Sequence, residues 1–150
     1  MRHLRQDTIY FVKTTLSTDK ITIYTDGASR GNPGPAAIGV ILKDETGKTI
    51  ANISRCLGTT TNNQAEYTAV IAGLEKAISL GAKQVTLKSD SELVVKQING
   101  RYKVKNADMR VMYSKVVQLT GQLAKFSAVN IPREQNKQAD ALCNQALDGA

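Results

Sequence analysis

Apolar and polar residues alternate along residues 20–26, the first strongly patterned stretch of the chain. Alternation with a period of two is typical of a half-buried β-strand, and this strand is predicted to end at Asp26. Residues 36–43 and 49–57 have the composition of two further strands, joined by a turn over residues 44–47. Three successive strands with short connections predict an antiparallel meander. The Gly- and Pro-rich residues 27–35, between the first two strands, are predicted to form a tight loop.

The period then changes to that of a helix. From Ala65 to Leu80 the apolar residues recur at helical spacing, and Asn62 or Asn63 is predicted to cap this helix. The later pattern predicts a strand, two helices, a strand and a helix, in the order 85–88, 92–98, 106–125, 126–131 and 136–147. Crossover connections through helices place successive strands parallel. The predicted fold is therefore α/β, with a five-stranded mixed sheet (an antiparallel meander of three strands plus two parallel strands) flanked by helices.

Length and composition are those of one domain. A chain of 150 residues with 41% hydrophobic residues can bury a core without disulfide bonds, so we assign residues 20–150 to one domain and residues 1–19 to an N-terminal extension of undetermined role. The apolar runs are too short for a membrane span and no secretory signal is recognisable, so a cytoplasmic protein is expected. Cys56 and Cys143 lack metal-ligand spacing, which predicts two reduced and buried thiols.

The formal net charge of +7 indicates a polyanionic partner. Residues 96–115 carry six cationic side chains and one acidic side chain, and Arg101, Lys103 and Lys105 among them form what we call the basic segment. Charge alone leaves open whether this segment is a solvated surface or a set of phosphate contacts. Because His3 is the single histidine, a Ser-His-Asp or Cys-His mechanism is excluded.

Four acidic residues lie at predicted ends of strands and helices. Asp26 and Asp90 follow the first and fourth strands, and Glu66 and Asp140 lie in the first turns of two helices. Each acid alone is explained by a turn or a helix N-terminus, whereas the four together favour a shared site. Clustered carboxylates require a cation, and oxygen ligands select Mg²⁺, with Mn²⁺ as a substitute. A pair of such ions promotes phosphodiester hydrolysis without histidine or cysteine.

Four segments of the chain resemble, in order, the four motifs of the type 1 ribonuclease H family. They are residues 25–35, 61–66, 89–91 and 133–140, and the similarity extends over roughly residues 20–148. The resemblance implies a ribonuclease H-like fold and an endonuclease that hydrolyses the RNA strand of RNA–DNA hybrids with two divalent ions, leaving 3′-hydroxyl and 5′-phosphate ends. It also implies that the metal-binding and catalytic residues are Asp26, Glu66, Asp90 and Asp140. We expect a monomer.

The same motifs imply substrate contacts. Asn32 corresponds to a position that approaches the RNA strand, and Asn62 and Asn63 correspond to positions that contact the hybrid in its minor groove. Thr61 matches a residue that helps to hold a DNA phosphate. Amide side chains both donate and accept hydrogen bonds, which suits the 2′-hydroxyls that distinguish RNA from DNA in a wide, shallow minor groove.

Two departures from the family pattern change the expected site. Many bacterial members carry a histidine in a glycine-rich loop before the last acidic motif, and here Arg133 and Glu134 are the candidates to replace it. The tryptophan-rich basic protrusion of some members is absent, because only residues 99–106 separate two helices. The chain is in this respect similar to the shorter archaeal-type enzymes, and weaker hybrid binding is the expected consequence.

Two other functions remain compatible with these residues. A non-catalytic module that binds hybrids or duplexes would have the same fold, but degenerate members usually lose one acid and all four acids are present here. A nuclease that acts on DNA junctions would share the carboxylates but not the paired asparagines at Asn62 and Asn63 or the Gly- and Pro-rich loop. Comparing cleavage of hybrid, duplex RNA, duplex DNA and junction substrates would separate the three.

Overall fold

The computed structural model describes residues 18–149, so residues 1–17 of the predicted N-terminal extension lie outside the described part. The strands are β1 (Lys20–Ser29), β2 (Gly34–Lys43), β3 (Thr49–Thr60), β4 (Gln84–Ser89) and β5 (Lys125–Asn130). The helices are α1 (Asn62–Ser79), α2 (Glu92–Ile98), α3 (Ala107–Thr120) and α4 (Lys137–Asp148), with a 3-10 turn at Arg133–Gln135 before α4. None of the helices in the described range is long and apolar enough to cross a membrane.

The five strands form one mixed sheet in the order β3-β2-β1-β4-β5, which confirms the predicted fold class. Strands β1, β2 and β3 pair antiparallel, and β4 pairs parallel with both β1 and β5. The parallel pairing of β1 with β4 ends at Thr25 and Ser89, although β1 continues beside β2 as far as Ser29. This loss of the neighbouring strand opens the sheet beside the next residue of β1, Asp26.

The predicted loop at residues 27–35 is largely wrong, because β1 extends to Ser29, β2 begins at Gly34, and only residues 30–33 connect them. Gly27 is a strand residue that allows a close approach of α1: a Cβ atom there would overlap the backbone of Ala65. The glycine therefore serves helix packing rather than a turn. This packing brings the start of α1 against β1 at the same place where β4 ends.

Two helix ends differ from the sequence-based prediction. The cap of α1 is Thr61 rather than an asparagine: its Oγ1 accepts from the backbone N–H of Gln64 at 3.2 Å, and the Gln64 side chain accepts from the backbone N–H of Thr61 at 3.3 Å. This reciprocal pair satisfies two otherwise unpaired donors. Helix α3 ends at Thr120 rather than at residue 125, because Gly121 closes the last turn and Lys125 already belongs to β5.

The two faces of the sheet are covered differently. Helix α1 packs on one face, where Ile23, Val40 and Leu74 have no exposed surface. Helix α4 packs on the other face against β1, β2 and β3. It lies so close that a Cβ atom on Gly39 would overlap the backbone of Ala139, one residue before Asp140. A glycine in the sheet thus sets the position of the last acidic residue.

Both cysteines are free thiols, but only one is buried. Cys143 of α4 is fully buried against Ala37, and burial raises the pKa of its thiol to about 12. The prediction for Cys56 is wrong, because this residue lies exposed on the edge strand β3 and donates to the carbonyl of Ala146 at 3.0 Å. An edge strand leaves one side of its residues without a neighbouring strand, which a composition-based prediction does not detect.

Candidate active site

Three carboxylates converge where the pairing of β1 and β4 ends. Asp26 lies within β1 rather than at its end, Asp90 directly follows β4, and Glu66 lies on α1 one turn after the helix begins. Each residue offers a carboxylate oxygen within 4.8 Å of the other two. Asp26 and Glu66 are both buried, each with 7% of its surface exposed, while Asp90 is half-buried.

Asp140 adds a fourth carboxylate from the first turn of α4. It is close enough to raise the pKa of Asp26, although it is outside the tight group of three. The amide of Asn144, one turn along the helix, donates to Asp140 Oδ2 at 3.4 Å. All four predicted acids line a single open cleft of about 490 Å³.

The electrostatics of this group are unfavourable in the absence of a cation. Burial, together with the negative charges of Asp26 and Asp90, raises the pKa of Glu66 to about 9. Burial also raises the pKa of Asp26 to about 7, with contributions from Asp90 and Asp140. The pKa of Asp90 is raised mainly by burial, against the opposing effect of the Arg133 guanidinium. Such mutual repulsion is typical of carboxylates arranged to share a cation.

Hydrogen bonding leaves one oxygen of this group without a protein donor. The nearby backbone N–H of Gly27 acts to lower the pKa of Glu66, yet Glu66 Oε2 is buried and has no hydrogen-bond partner in the described structure. A buried, unpaired carboxylate oxygen is unfavourable unless another group binds it. Oxygen-only ligands that include an unpaired buried oxygen fit a hard divalent cation.

Asn136 is a buried polar residue beneath the site that sequence reasoning missed. Its Nδ2 donates to the carbonyl of Thr25 at 2.8 Å, and the nearby Asn136 side chain acts to lower the pKa of Asp90. It therefore connects the N-terminal end of α4 to β1, beside an acidic residue. The sequence signal was an asparagine just before the last helix, which resembles an ordinary cap, and its burial at 1% exposure is visible only in the structure.

The predicted substrate-contacting asparagines lie at the start of α1. Asn32 Oδ1 accepts from the backbone N–H of Asn62 at 3.1 Å, and Asn62 Oδ1 accepts from the backbone N–H of Ser29 at 3.3 Å. These bonds fix the short loop against the helix, and they leave both amide NH₂ groups at an exposed surface beside the cleft. Asn63 is also exposed, whereas the Thr61 hydroxyl is engaged in the helix cap.

The remaining predicted residues fall in different places. Arg133 lines the cleft, with its Nη2 atom 3.9 Å from Asp140 Oδ1. Glu134, its neighbour, lines a separate cavity of about 150 Å³ beside Tyr24, so the two candidates for the missing histidine are separated. The basic segment is exposed in the connection between α2 and α3, and its Lys103 borders another cavity, of about 490 Å³.

Comparison with known proteins identifies the relatives of this chain. A family model described as reverse transcriptase-like matches residues 24–146. The chain is 43% identical over 131 residues to Ribonuclease HI of Halobacterium salinarum, covering 87% of this chain and 66% of that protein. It is 42% identical over 132 residues to a Mycobacterium tuberculosis protein named as bifunctional, covering 87% of this chain and 36% of that protein. The chain thus spans less than two thirds of the length of either curated relative.

Solved structures extend the similarity to three dimensions. RNase H1 of Halobacterium salinarum aligns with a TM-score of 0.85 at 43% identity, covering 87% of this chain and 99% of that chain. LC11-RNase H1, isolated from compost by a metagenomic approach, aligns in its complex with an RNA/DNA hybrid with a TM-score of 0.82 at 44% identity. That alignment covers 86% of this chain and 97% of the other.

Proposed function

The chain belongs to the type 1 ribonuclease H family, and from that membership we propose that it is an endonuclease that hydrolyses the RNA strand of RNA–DNA hybrids. The observation that carries this proposal is the convergence of Asp26, Glu66 and Asp90 within 4.8 Å in an open cleft. An open cleft admits an internal phosphodiester of a long duplex, as an endonuclease requires. The hybrid bound to the LC11 relative, at 44% identity, supports the substrate class.

The donor set and the unpaired Glu66 Oε2 fit a divalent metal. Asp26, Glu66, Asp90 and Asp140 would hold Mg²⁺, with Mn²⁺ as a substitute, and we propose that two ions are bound when the substrate is present. When bound, such ions lower the pKa of the attacking water and stabilise negative charge on the leaving oxygen. The cations would also keep Asp26 and Glu66 ionised near neutral pH, against the burial that raises their pKa values.

The proposed reaction is the attack of water on a phosphorus atom of the RNA strand. A new P–O bond forms, the bond from phosphorus to the 3′-oxygen breaks, and this oxygen takes up a proton. The products are a 3′-hydroxyl and a 5′-phosphate. Within the chain, Asn136 would hold the start of α4 against β1 through its hydrogen bond to Thr25, with its side chain close to Asp90.

Arg133 is the better candidate for the auxiliary role that the loop histidine has in many bacterial members. Its guanidinium lies beside Asp140 and its side chain is 81% exposed, so it can reach a phosphate in the cleft. Arginine is a permanent cation, and it would bind phosphate oxygens rather than transfer a proton. The position of Glu134 beside Tyr24, in a cavity apart from the cleft, argues against this residue.

We propose that selection of the RNA strand depends on Asn32, Asn62 and Asn63. The first two are held by backbone hydrogen bonds through their oxygens, so that their amide NH₂ groups remain available to 2′-hydroxyls. Thr61 would contact a phosphate of the DNA strand from the start of α1. The basic segment, Arg101, Lys103 and Lys105, would bind phosphates further along the duplex. A cytoplasmic monomer is the proposed form of the protein.

A panel of end-labelled substrates tests the proposal. The protein is incubated in Mg²⁺ with equimolar amounts of hybrid, duplex RNA, duplex DNA or a four-way DNA junction. We expect internal cuts only in the RNA strand of the hybrid. Cleavage of the junction in preference to the hybrid would identify a junction nuclease instead. Binding of the hybrid without turnover in either Mg²⁺ or Mn²⁺ would identify a non-catalytic module.

A further inference from the structure

One face of the sheet is only partly covered. Helix α4 packs on β1, β2 and β3, and beyond its N-terminal end this face continues over β1, β4 and β5. The side chains that point to this side of β5 are exposed, and Val129, the most apolar of them, is 42% exposed. We call this uncovered region the outer face; its residues are Lys20, Thr22 and Tyr24 of β1, Lys43 of β2, Thr86 and Lys88 of β4, and Lys125, Ser127 and Val129 of β5.

Cations from four strands meet on the outer face. Two of them approach the ring of Tyr24, with Lys43 Nζ at 5.2 Å and Lys88 Nζ at 5.5 Å from its centroid. Further from the cleft, Lys20 and Lys125 border a groove of about 350 Å³ together with the hydroxyls of Thr22, Thr86 and Ser127. None of the four lysines forms an ion pair with another residue of the described range.

The acidic neighbours do not cancel this charge. Glu45 borders the groove and Glu134 borders the cavity beside Tyr24 and Lys43, so two carboxylates stand against four lysines. Because two ammonium groups already lie close to the Tyr24 ring, the ring is poorly placed to stack on a base. Ammonium groups and hydroxyls on a flat sheet instead match the oxygens of a phosphate backbone.

The outer face leads towards the acidic cleft along β1 and β4, and the connection before α4 lies between the two, with its Asn136 bonded to Thr25 and lining the cavity beside Tyr24. Side chains two apart on a strand point to the same side, so Asp26 follows Tyr24 on this face and Asp90 follows Lys88. At roughly 3.3 Å per residue, Tyr24 is about 7 Å and Lys20 about 20 Å from Asp26 along β1. A duplex has one base pair per ~3.4 Å. A duplex arm that left the cleft along β1 would therefore reach Tyr24 after about two base pairs and Lys20 after about six.

We propose that the outer face is a second nucleic-acid contact surface, which binds the phosphate backbone of the duplex arm that extends from the cleft along β1. This inference rests on the proposed function and specifies how the substrate lies on the protein. The duplex on one side of the cleaved bond contacts the sheet. The four lysines are 23, 45 and 37 residues apart in the chain, and β-sheet pairing alone brings them together.

Substrates with a fixed cleavage position test the proposal. A DNA duplex with four consecutive ribonucleotides in one strand is prepared with ten extra base pairs on the 5′ side of the ribonucleotides, on the 3′ side, or on neither. KM and kcat are measured for the wild-type chain, for Lys43→Gln/Lys88→Gln and for Lys20→Gln/Lys125→Gln. The control, Lys76→Gln/Lys115→Gln, removes the same charge from helices on the opposite side of the sheet.

The Lys43→Gln/Lys88→Gln variant should raise KM roughly tenfold for one of the two extended substrates, and the slope of log KM against log salt should fall by about two. Lys20→Gln/Lys125→Gln should affect the same extended arm, whereas the control should affect neither arm. Three results would each overturn the proposal. The first is an equal effect on both arms and on the unextended substrate, the second is no effect beyond that of the control, and the third is a change in oligomeric state on gel filtration.

The failure of this inference is distinguishable from failure of the proposed function. The affinities of the same duplexes, with a fluorescent label, are measured by anisotropy without divalent ions as well as by cleavage. A wild-type chain that cleaves no substrate contradicts the proposed function, while arm-dependent binding would still support the outer face. A chain that cleaves the ribonucleotide stretch with no dependence of KM on the lysines contradicts the outer face alone.

Discussion

Two neighbouring residues of α1, Glu66 and Tyr67, lie in different regions of the molecule, and their buried polar atoms differ in whether they have a hydrogen-bond partner. Tyr67 is fully buried in the core between α1 and the sheet, and its hydroxyl donates to Gln97 Oε1 at 2.7 Å. Glu66 points into the cleft, where its Oε2 atom is buried without a partner and its pKa is raised to about 9, chiefly by burial. The hydroxyl of Tyr67 has a partner within the core, whereas the Glu66 oxygen in the cleft is left for a ligand.

The difference assigns stability and chemistry to separate regions. Apolar burial in the core stabilises the fold, with about 25 cal/mol for each Å² of apolar surface removed from water. Burying carboxylates in the cleft opposes folding until a cation is bound, since an unpaired buried charge is unfavourable. Helix α1 joins the two regions, so the core holds the carboxylates in place. Substitutions in the cleft should therefore reduce activity, and substitutions in the core should reduce stability.

The largest expected effect is that of Asp26→Asn. Loss of one carboxylate removes a proposed metal ligand from the group of three, and metal ions contribute several kcal/mol to transition-state stabilisation. The rate of single-turnover hybrid cleavage should fall by roughly a hundredfold or more. The melting temperature in EDTA at pH 8 should not fall, because a buried negative charge has been removed. A variant that melts well below the wild type would show that Asp26 supports the fold instead.

Leu74→Ala is the matching change in the core. Leu74 has no exposed surface, and truncation of a buried leucine costs about 2–5 kcal/mol of unfolding free energy. Urea titration followed by circular dichroism measures this loss. The value of kcat, measured well below the melting transition, should stay within a few-fold of the wild type. A large loss of kcat in the folded variant would mean that core and cleft are not separable.

A smaller effect is expected in the pH dependence of stability without metal. The pKa of Glu66 is raised from 4.5 to about 9 and that of Asp26 from 3.8 to about 7, so the folded chain binds protons that the unfolded chain releases. Their stabilising contribution is complete below about pH 4 and is lost as the pH rises through 7 and 9, by up to ~1.4 kcal/mol per unit for each group.

Thermal melts in EDTA between pH 5 and 9 measure this dependence. The melting temperature should decrease with rising pH, Glu66→Gln should flatten the decrease, and Mg²⁺ should raise the wild-type melting temperature most at the alkaline end. Gln138→Glu, on an exposed position of α4, is the control for a change of one charge outside the cleft. Equal slopes in the wild type and Glu66→Gln would show that the buried glutamate does not govern the dependence.

The smallest expected effect concerns the basic segment. Neutralising Arg101, Lys103 and Lys105 to glutamine should raise KM several-fold and leave the melting temperature unchanged, because all three are exposed. The slope of log affinity against log salt should fall by up to about three. Fluorescence anisotropy with a labelled hybrid over a series of salt concentrations provides the measurement. An unchanged slope would assign the segment to the solvated surface.

Sequence periodicity predicted the parts of the fold that depend on one segment at a time. The alternation in residues 20–26 and the helical spacing from Ala65 to Leu80 each reflect burial on one side of an element, so β1 and α1 were found. Gly27 resembled a loop residue because the backbone that approaches it, that of Ala65, comes from elsewhere in the fold. Such close approaches leave no local signal.

Sequence reasoning was limited in the same way for the acidic cleft and for the outer face, because contacts between distant segments are not visible in the sequence. The four acids were predicted because each occurs within a recognisable motif, and the structure brings all four to one cleft. Asn136 was missed, since a buried asparagine and a capping asparagine look alike in sequence. The lysines of the outer face were missed for another reason: charge was counted along the chain, where they are far apart, and only strand pairing makes them neighbours.

The most direct test of the central claim follows both strands of one hybrid. A duplex labelled on its RNA strand with one dye and on its DNA strand with another is incubated with the protein in Mg²⁺ and in EDTA, and the products are resolved by length and end group. We expect internal cuts in the RNA strand alone, only in Mg²⁺, with fragments that carry 3′-hydroxyl and 5′-phosphate ends. Cuts in the DNA strand, undiminished cleavage in EDTA, or an intact RNA strand in Mg²⁺ would contradict the account.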